Sequence, residues 1–267
     1  MHFNFLAMIK ALFFDIDGTL VSFSTHTIPA STIAALKAAK SKGIKVFIAT
    51  GRPKAFIINL QQIEEYIDGY ITNNGAYIFC GSEELTSNPI TRQDTDALIN
   101  YARRFDHPVI IMGKHDYGVL NYHKIVKDVF CGGLGILVDF PGRDAEEVLK
   151  EDVFQMTMFM PPEEEVKITQ LTKRCISGRW SKDFTDITDK DANKGQGLVR
   201  ISEYFGIKIS ETMAFGDGGN DIPVIRAAGI GVAMGNAGQD VKDSADYITD
   251  DFDHDGIFNA LKHFNVI

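Results

Sequence analysis

Residues 11–19 of the chain read ALFFDIDGT, an apolar run that ends in two aspartates one residue apart and then a glycine. The run 11–14 predicts a buried strand, whose own packing has no need of carboxylates. Residues i and i+2 of a strand project to one face, so Asp15 and Asp17 are expected to converge unless the chain has already begun to turn there. Gly18 permits a tight turn and a close backbone approach to a ligand. The stretch predicts a chemical site at the strand's end, although a turn with two solvated aspartates stays open at this point.

A second pair of aspartates occurs late in the chain, in the stretch GDGGND at 216–221. This stretch follows the apolar run TMAF and precedes a helical pattern. Taken alone, it is compatible with a plain strand-to-helix loop in which Asn220 or Asp221 caps the helix. Taken with Asp15 and Asp17, it predicts a cation site, because neighbouring carboxylates repel unless a cation or a proton lies between them. Mg²⁺ fits, since it prefers oxygen ligands and few protein carboxylates.

Short apolar runs alternate with helical patterns in both outer parts of the chain. The runs lie at 11–14, 44–50, 69–72, 212–217, 230–235 and 245–249, and the helical patterns at 29–43, 194–206 and 220–229. Such alternation is typical of a parallel sheet that is covered by helices on both faces. We therefore expect an α/β fold, a Rossmann-like doubly wound parallel sheet, in a core domain formed by residues 1–81 and 186–267.

The middle of the chain has a different pattern and predicts an inserted α+β cap domain at residues 82–185. Its apolar runs include VIIMG, YGVLNY, ILVDF and VFQMTMFM, with helical patterns such as DALINYARRF among them. In the run VFQMTMFM, at 153–160, a phenylalanine and three methionines stand at every second position. This spacing predicts a strand with one face more buried than the other.

Composition excludes several classes of function. The 267-residue chain has a net charge of −9, which argues against nucleic-acid binding driven by phosphate neutralisation. No stretch approaches the roughly 18 apolar residues that a membrane span requires, so no membrane partner is expected. The first residues show neither a basic n-region nor a small-residue cleavage site. The three cysteines form no CxxC pair, and together these features predict a cytoplasmic protein with free thiols.

Two further polar residues stand where a parallel sheet places its ligands. Thr50 ends the second apolar run, and Lys194 precedes an amphipathic helical pattern. Each is weak evidence alone, because a lysine beside a helix is usually solvated. Ligands of open parallel sheets bind beyond the carboxyl ends of the strands. We therefore expect the segments at 15–19, 50–52, 194 and 216–221 to meet in one crevice.

The order and spacing of these four segments resemble those of the haloacid dehalogenase-like hydrolase superfamily. The four motifs are DIDGT at 15–19, the threonine of ATGR at 49–52, the lysine of DANKGQGL at 191–198, and GDGGND at 216–221. The chain is most similar to the phosphatase branch with a large inserted cap of the Cof type (C2B). The resemblance covers residues 9–80 and 186–267, and the cap resembles the family mainly in its length and placement. Pro223, after the fourth motif, departs from the pattern but is tolerated in a first helical turn.

The resemblance implies Mg²⁺-dependent hydrolysis of a phosphoester through an aspartyl-phosphate. Asp15 is then the nucleophile, and Asp17 is the acid and base that serves the leaving group and the water. The implied metal ligands are Asp15, the backbone carbonyl of Asp17, and Asp217, while Asp221 supports the metal's water shell or Lys194. Thr50 and Lys194 are implied to hold the phosphoryl oxygens. An aspartate at position 17 also separates the phosphatases from the superfamily's dehalogenases and transport ATPases.

Substrate contacts are predicted for a further set of residues. Arg52, Asn73 and Asn74 follow the second and third strands on the side that faces the cap, and ordinary loop polarity is the alternative for them. Asn220 is expected to touch the phosphate or to order its loop. Trp180, the only tryptophan, lies in the cap stretch GRWSKDF at 178–184. It could stack on a sugar ring or belong to the cap core.

Three functions remain open from the sequence. The first is a phosphatase of small phosphorylated metabolites, above all sugar phosphates, that acts as a monomer or a weak dimer. The second is a phosphomutase of the same fold, which would return the phosphoryl group to a sugar instead of releasing phosphate. The third is a catalytically idle sensor that binds sugar phosphates. The presence of both Asp15 and Asp17 argues against the sensor, which would not need them.

Overall fold

The computed structural model describes residues 8–22, 25–133, 135–179 and 181–267. Its strands, in chain order, are β1 (Ala11–Phe14), β2 (Lys45–Ala49), β3 (Gly69–Thr72), β4 (Tyr77–Cys80), β5 (Glu83–Ser87), β6 (Val109–Met112), β7 (Tyr117–Leu120), β8 (Gln155–Met158), β9 (Cys175–Gly178), β10 (Thr185–Asp189), β11 (Thr212–Gly216), β12 (Ile230–Ala233) and β13 (Tyr247–Ile248).

Helices connect most of these strands. They are α1 (Ala30–Ser41), α2 (Arg92–Phe105), α3 (Lys124–Lys127), α4 (Ala145–Val148), α5 (Val166–Leu171), α6 (Lys194–Phe205), α7 (Ile222–Ala227), α8 (Gln239–Lys242) and α9 (Gly256–His263). Short 3₁₀ turns lie at Lys54–Phe56, Glu64–Tyr66, Asn73–Gly75, Pro162–Glu164, Ile209–Glu211, Gly219–Asp221 and Phe252–His254, and a π-helical turn at Asp128–Gly133. Within the described residues, none of the helices combines the length and the apolar character that a membrane crossing requires.

Helices α2 and α6 each begin after a residue whose side chain caps the first turn. Thr91 caps α2, accepting a hydrogen bond from the backbone N–H of Asp94 at 3.3 Å, and Asn193 caps α6 through Gln196 at 2.8 Å. Gly206 ends α6 with a φ of +64°, in the left-handed region that glycine adopts without strain. These caps fix the start of α6, and with it the position of Lys194.

The larger sheet has eight strands in the order β13-β12-β11-β1-β2-β3-β4-β5. The six strands from β13 to β3 are parallel, and β4 and β5 continue the sheet antiparallel at one edge. The chain leaves β1 to build one half of the sheet through β2 and returns later to build the other through β11. The strand order therefore reverses at β1, and the crevice beyond its carboxyl end is the ligand site expected of such a sheet.

Both faces of the parallel strands are buried. Helices α1 and α9 pack on one face, where Leu36 and Leu261 contribute to the core with Phe14 and Phe215. The opposite face is covered by α6 and α7, whose apolar residues pack on the alternate residues of the same strands. Burial on both faces explains why these strands are almost continuously apolar in sequence. The predicted fold class, a doubly wound parallel sheet with an inserted α+β unit, is confirmed.

The smaller sheet has five antiparallel strands in the order β7-β6-β8-β10-β9. Helices α2, α4 and α5 bury one of its faces in a core rich in methionine and isoleucine. Strand β5 belongs to the larger sheet although it follows residue 82, and β10 ends the smaller sheet at Asp189. The division into domains at residues 82 and 186 stays a prediction, and these two strands cross it by a few residues.

The expectation that strand 153–160 has one more buried face is wrong. All residues from Val153 to Met160 are buried. Met156 and Met158 enter the core beneath α2 and α5, as the alternation predicts. The other face, with Gln155 and Thr157, is buried because it closes over a cavity between the two sheets.

An aromatic contact joins the two parts of the chain. Phe56, on the turn after β2, is 1% exposed and lies in a cluster formed mainly by residues of the middle segment. Its ring centroid is 4.9 Å from that of Tyr117, 5.8 Å from Phe130 and 6.0 Å from Phe140. The contact forms beside the cavity, which Phe56 and Phe130 also line.

Candidate active site

A cavity of about 490 Å³ lies between the larger sheet and the smaller one. The four sequence motifs meet there, because β1, β2 and β11 end at its floor and α6 begins at its side. Asp15, Thr50, Lys194 and Asp217 all line it. The crevice rule for parallel sheets thus brings together segments that are up to about two hundred residues apart in sequence.

The two aspartates of the first motif contact different cations. Asp15 is 7% exposed, and its Oδ1 accepts a hydrogen bond from Nζ of Lys194 at 2.7 Å. Asp17 stands on the turn that Gly18 makes with a φ of +80°. Its two oxygens accept from Nε and Nη2 of Arg52 at 2.7 and 2.6 Å. The strand has already begun to turn at Asp17, so the two carboxylates share the cavity but not a partner.

Lys194 is buried between two carboxylates. Its side chain is 0% exposed, and Nζ lies 2.7 Å from Asp15 and 2.5 Å from Asp221. Burial by itself would lower the pKa of Lys194, but the two carboxylates outweigh it and hold the pKa above its ordinary value. Gly195 brings α6 close, because a Cβ there would lie 2.4 Å from the carbonyl oxygen of Pro223. Lys194 is therefore a fixed, permanently charged group at the floor.

Asp15, Asp217 and Asp221 form an acidic cluster in which one oxygen of each lies within 4.8 Å of the others. Burial first, and the neighbouring Asp221 second, raise the pKa of Asp217 to about 7, although the hydrogen bond from Thr19 and the charge of Lys194 act to lower it. The pKa of Asp15 is also raised, by burial first and then by Asp221. The cluster has more negative charge than Lys194 alone neutralises, which is the electrostatic condition for a cation site.

Both carboxylate oxygens of Asp221, the third member of the acidic cluster, accept hydrogen bonds. Its Oδ2 accepts from the backbone N–H groups of Asp217 at 3.1 Å and of Gly218 at 3.0 Å, and its Oδ1 accepts from Lys194. Gly216 makes this packing possible, since a Cβ there would lie 2.4 Å from the Cβ of Asp221. Of the two roles that the resemblance leaves to Asp221, support of Lys194 is the one with a direct contact here.

Sequence reasoning missed two residues that orient Asp217. Thr19 donates from Oγ1 to Oδ1 of Asp217 at 2.8 Å. Asn236 donates from Nδ2 to the Gly18 carbonyl at 2.9 Å and lies 3.3 Å from Oδ2 of Asp217. Thr19 is the last residue of DIDGT, and Asn236 follows β12, a strand whose carboxyl end faces the same crevice. Extending the strand-end rule to β12 could have found Asn236.

The remaining predicted residues lie at different distances from the cavity. Thr50 is 1% exposed, lines the cavity, and accepts from the backbone N–H of Arg52 at 3.1 Å. Asn74 accepts from Nδ2 of Asn220 at 3.0 Å, and both line the cavity. Asn73 is buried and is not among the lining residues that the structure describes. Trp180 lies outside the described residues. The guanidinium of Arg52 contacts Asp17 and the Phe56 carbonyl. The substrate contact expected of Arg52 stays a prediction.

A comparison with known proteins identifies the family. The sequence profile of the haloacid dehalogenase-like hydrolases matches residues 12–261, which is nearly the whole chain. The chain belongs to the haloacid dehalogenase-like hydrolase family. The family match spans both sheets and all four motifs.

Individual relatives within this family cover the chain almost completely. A protein of Bacillus subtilis (strain 168) named "Putative phosphatase YkrA" is 32% identical over 97% of this chain and 98% of its own length. The solved structure of "the HAD Subclass IIB Sugar Phosphatase BT4131" is 48% identical, with a TM-score of 0.89 over 97% of this chain and 100% of that one. The solved structure of BT1666 from Bacteroides thetaiotaomicron is 38% identical, with a TM-score of 0.86 over 97% of this chain and 96% of its own.

Proposed function

We propose that this haloacid dehalogenase-like hydrolase is a Mg²⁺-dependent phosphatase of sugar phosphates that works through an aspartyl-phosphate. The observation that carries the proposal is the position of Asp15. It lies at the floor of a cavity between a fixed cation, Lys194, and further carboxylates, with Asp17 beside it. The names of the relatives, phosphatases and in one case a sugar phosphatase, support the same reaction class and leaving group.

The chemistry of each step follows from the residues at the floor. An oxygen of Asp15 forms a bond to phosphorus as the bond from phosphorus to the sugar oxygen breaks, and Asp17 delivers a proton to that oxygen. Asp17 then takes a proton from a water that attacks phosphorus, and the bond to Asp15 breaks. Lys194 and the Thr50 hydroxyl balance the charge on the phosphoryl oxygens.

The contact between Arg52 and Asp17 must break before Asp17 can take part in these steps. Both oxygens of Asp17 accept from Arg52, and in that arrangement neither is placed to hand a proton to a leaving group. Asp17 therefore exchanges Arg52 for the substrate oxygen during turnover. The side chain of Asp17 is 36% exposed at the edge of the cavity, so it has room to rotate away from Arg52.

The acidic cluster fits Mg²⁺ by the chemistry of its donors. Asp15 and Asp217 would supply carboxylate oxygens, and Asp221 orients the loop that carries Asp217. The resemblance to the family implies that the backbone of Asp17 would supply a carbonyl oxygen. The pKa of Asp217 is raised by burial first and by the negative charge of Asp221 second, and a bound cation would offset both. When bound, Mg²⁺ supplies charge neutralisation that lets a phosphate dianion approach two aspartates.

Phosphate release from a panel of sugar phosphates, measured with Mg²⁺ and with EDTA, tests the proposal. We expect release with Mg²⁺ and a loss of at least about 100-fold with EDTA, restored by added Mg²⁺. Conversion of a sugar monophosphate to its isomer without phosphate release would favour the phosphomutase. Tight binding of sugar phosphates with neither reaction would favour the sensor.

The affinity for Mg²⁺ should fall as the pH drops below 7. The pKa of Asp217 is raised to about 7, so at pH 6 a proton occupies the carboxylate that the metal needs and must leave on binding. Competition by one proton predicts about tenfold weaker binding at pH 6 than at pH 8. Isothermal titration calorimetry in two buffers of different ionisation enthalpy measures both the affinity and the released proton. Equal affinities at the two pH values, with no proton released, would contradict the assignment of Asp217.

The raised pKa of Asp217 also predicts the direction in which the stability of the metal-free protein changes with pH. An acid whose pKa is higher in the folded than in the unfolded state holds more protons when folded. Asp217 therefore contributes stability at acidic pH that is lost as the pH rises towards 7, and Mg²⁺ should restore it.

The proposed partner is a small phosphorylated metabolite. A monomer, with a weak dimer as the alternative, stays the prediction for the oligomeric state, and a cytoplasmic location stays the prediction for the protein. The expectation that nucleic acid is not a partner rests on the net charge of −9.

A further inference from the structure

The turn Asn73–Gly75, directly after β3, is fixed to two of the loops that form the floor of the cavity. The backbone N–H groups of its two asparagines donate to the carbonyls of Arg52 and Thr50, respectively, each at 3.1 Å. Gly75 packs on the residue that caps α6, since a Cβ at Gly75 would lie 2.4 Å from the carbonyl oxygen of Asn193. The turn is therefore held by the loops of the second and third motifs.

The side chain of Asn74, in the middle of this turn, has partners on both sides of the cavity. Its Oδ1 accepts from Nδ2 of Asn220 at 3.0 Å, and its Nδ2 donates to Oε1 of Gln155 at 3.4 Å. Asn220 lies on the loop of the fourth motif, three residues after Asp217, and Gln155 is the buried first residue of β8. All three amides line the cavity. Asn74 therefore joins the loop that carries Asp217 to the smaller sheet.

Two features of the chain place this side chain. Asn74 has a φ of +55°, in the left-handed region, which asparagine adopts more readily than most residues. Residues in this region are common at active sites and switch segments, where their surroundings hold them. Gly51 leaves room for the amide, because a Cβ there would lie 3.0 Å from Oδ1 and 3.2 Å from Nδ2 of Asn74. The position of the amide thus depends on both the turn and the loop of the second motif.

The two hydrogen bonds of the Asn74 side chain differ in length. The bond to Asn220 has an ordinary length, whereas the bond to Gln155 is longer than the usual range of about 2.7–3.2 Å. A small approach of the smaller sheet strengthens the longer bond, and a small retreat breaks it. Asn74 is then held from one side only, and the amide that orients Asn220 loses its second support.

We infer that Asn74 is a positioning residue that transmits the position of the smaller sheet, through Gln155, to Asn220 beside the floor of the cavity. When the sheet lies over the cavity, Asn74 holds one N–H of the Asn220 amide, and the other N–H donates to a phosphoryl oxygen of the substrate. This role differs from the leaving-group contact that the sequence predicts for Asn74. The inference rests on the proposed phosphatase activity and adds a link between closure of the cavity and its phosphoryl end.

The test breaks the chain of amides at each end and at both. Gln155→Leu removes the acceptor at similar size, and Asn74→Gly removes both hydrogen bonds while glycine keeps the left-handed turn. Each should lower kcat/KM about tenfold, and equally for the best sugar phosphate and for p-nitrophenyl phosphate, because these substrates share only the phosphoryl group. The double variant should lose no more than the more damaged single variant, since both changes interrupt one chain.

Inorganic phosphate gives a second readout, because it has no leaving group. Its inhibition constant should rise about fivefold in each single variant. Asn265→Gly is the matched control: Asn265 also has a left-handed φ, of +55°, but it is exposed and is not among the described residues that line the cavity. This control should change neither kcat/KM nor the inhibition constant.

The outcomes separate a relay from a direct contact. Larger losses on the sugar phosphate than on p-nitrophenyl phosphate, with an unchanged inhibition constant, would assign both side chains to the leaving group and overturn the inference. Additive losses in the double variant, or wild-type kinetics in both single variants, would also overturn it. Urea midpoints establish that each variant is folded, and Gln155→Leu with inorganic phosphate tests the relay even if Asn74→Gly unfolds. In these cases the phosphatase proposal stands, whereas no phosphate release by wild type would overturn both.

Discussion

Replacing Asp15 by asparagine should abolish phosphate release, with kcat/KM lowered by at least about 10⁴-fold. An amide has no anionic oxygen to attack phosphorus. No neighbouring carboxylate can replace Asp15, because Asp17 is paired with Arg52, and Asp221 accepts hydrogen bonds from Lys194 and two backbone N–H groups. The measurement is phosphate release with Mg²⁺ from the best sugar phosphate of the panel.

The loss should not come from unfolding. Burial and the neighbouring carboxylates raise the pKa of Asp15, so its ionised form is unfavourable in the metal-free fold and a neutral amide relieves that cost. The urea midpoint of Asp15→Asn in EDTA should therefore equal or exceed that of wild type at pH 8. Asp240→Asn, at an exposed site of the same sheet domain, is the matched control and should be fully active. Appreciable turnover by folded Asp15→Asn and by Asp15→Ala, which cannot revert by deamidation, would exclude Asp15 as the nucleophile.

Lys194→Met should lower both activity and stability. Methionine keeps the length of the side chain but leaves Asp15 and Asp221 buried without their shared cation. Removing one partner of a buried ion pair costs about 3–5 kcal/mol of unfolding free energy. Loss of the cation at the phosphoryl oxygens should lower kcat/KM by at least about 10³-fold. Urea unfolding and phosphate release measure the two effects.

A second substitution distinguishes charge from packing. In the double variant Lys194→Met with Asp221→Asn, one of the unpaired carboxylates is gone, so part of the lost stability should return while activity stays low. Lys190→Met changes an exposed lysine a few residues earlier and should alter neither quantity. The destabilisation by Lys194→Met should also shrink at acidic pH, where protons neutralise the carboxylates. Wild-type stability in Lys194→Met at pH 8 would show that the ion pairs contribute little.

The floor of the site was predictable because strand ends are visible in the sequence. The runs ALFF and TMAF and the cap at Asn193 fix the position of the residues that directly follow them, and a parallel sheet brings such residues to one edge. Asp15, Thr50, Lys194 and Asp217 follow from this rule without any knowledge of side-chain contacts. The same rule places Asn74 and Asn220 at the cavity.

The partners of these residues were not predictable, because they depend on rotamers and on contacts between distant segments. The turn at Gly18 was expected from the sequence, but the pairing of Arg52 with Asp17 also requires the path of residues 53–56, which has no sequence signature. The position of Gln155 and Thr157 at the cavity was missed for another reason. In the run VFQMTMFM the alternation predicts only that one face of the strand is more buried than the other, and Gln155 and Thr157 lie on the less apolar face. Whether that face meets solvent or a cavity depends on how the two sheets stand against each other.

Phe56 connects the smaller-sheet part of the protein to Arg52 at the cavity. Phe56 sits among aromatic residues of the smaller-sheet part, while its carbonyl accepts from Nη1 of Arg52 at 2.9 Å. A swing of the smaller sheet that admits a substrate either pulls the ring out of its cluster, which exposes a phenylalanine at a cost of about 1.5–3 kcal/mol, or draws residues 53–56 along with it. In the second case the motion would displace Arg52 and weaken its hydrogen bonds to Asp17. Opening of the cavity and release of Asp17 from Arg52 would then be one coupled motion.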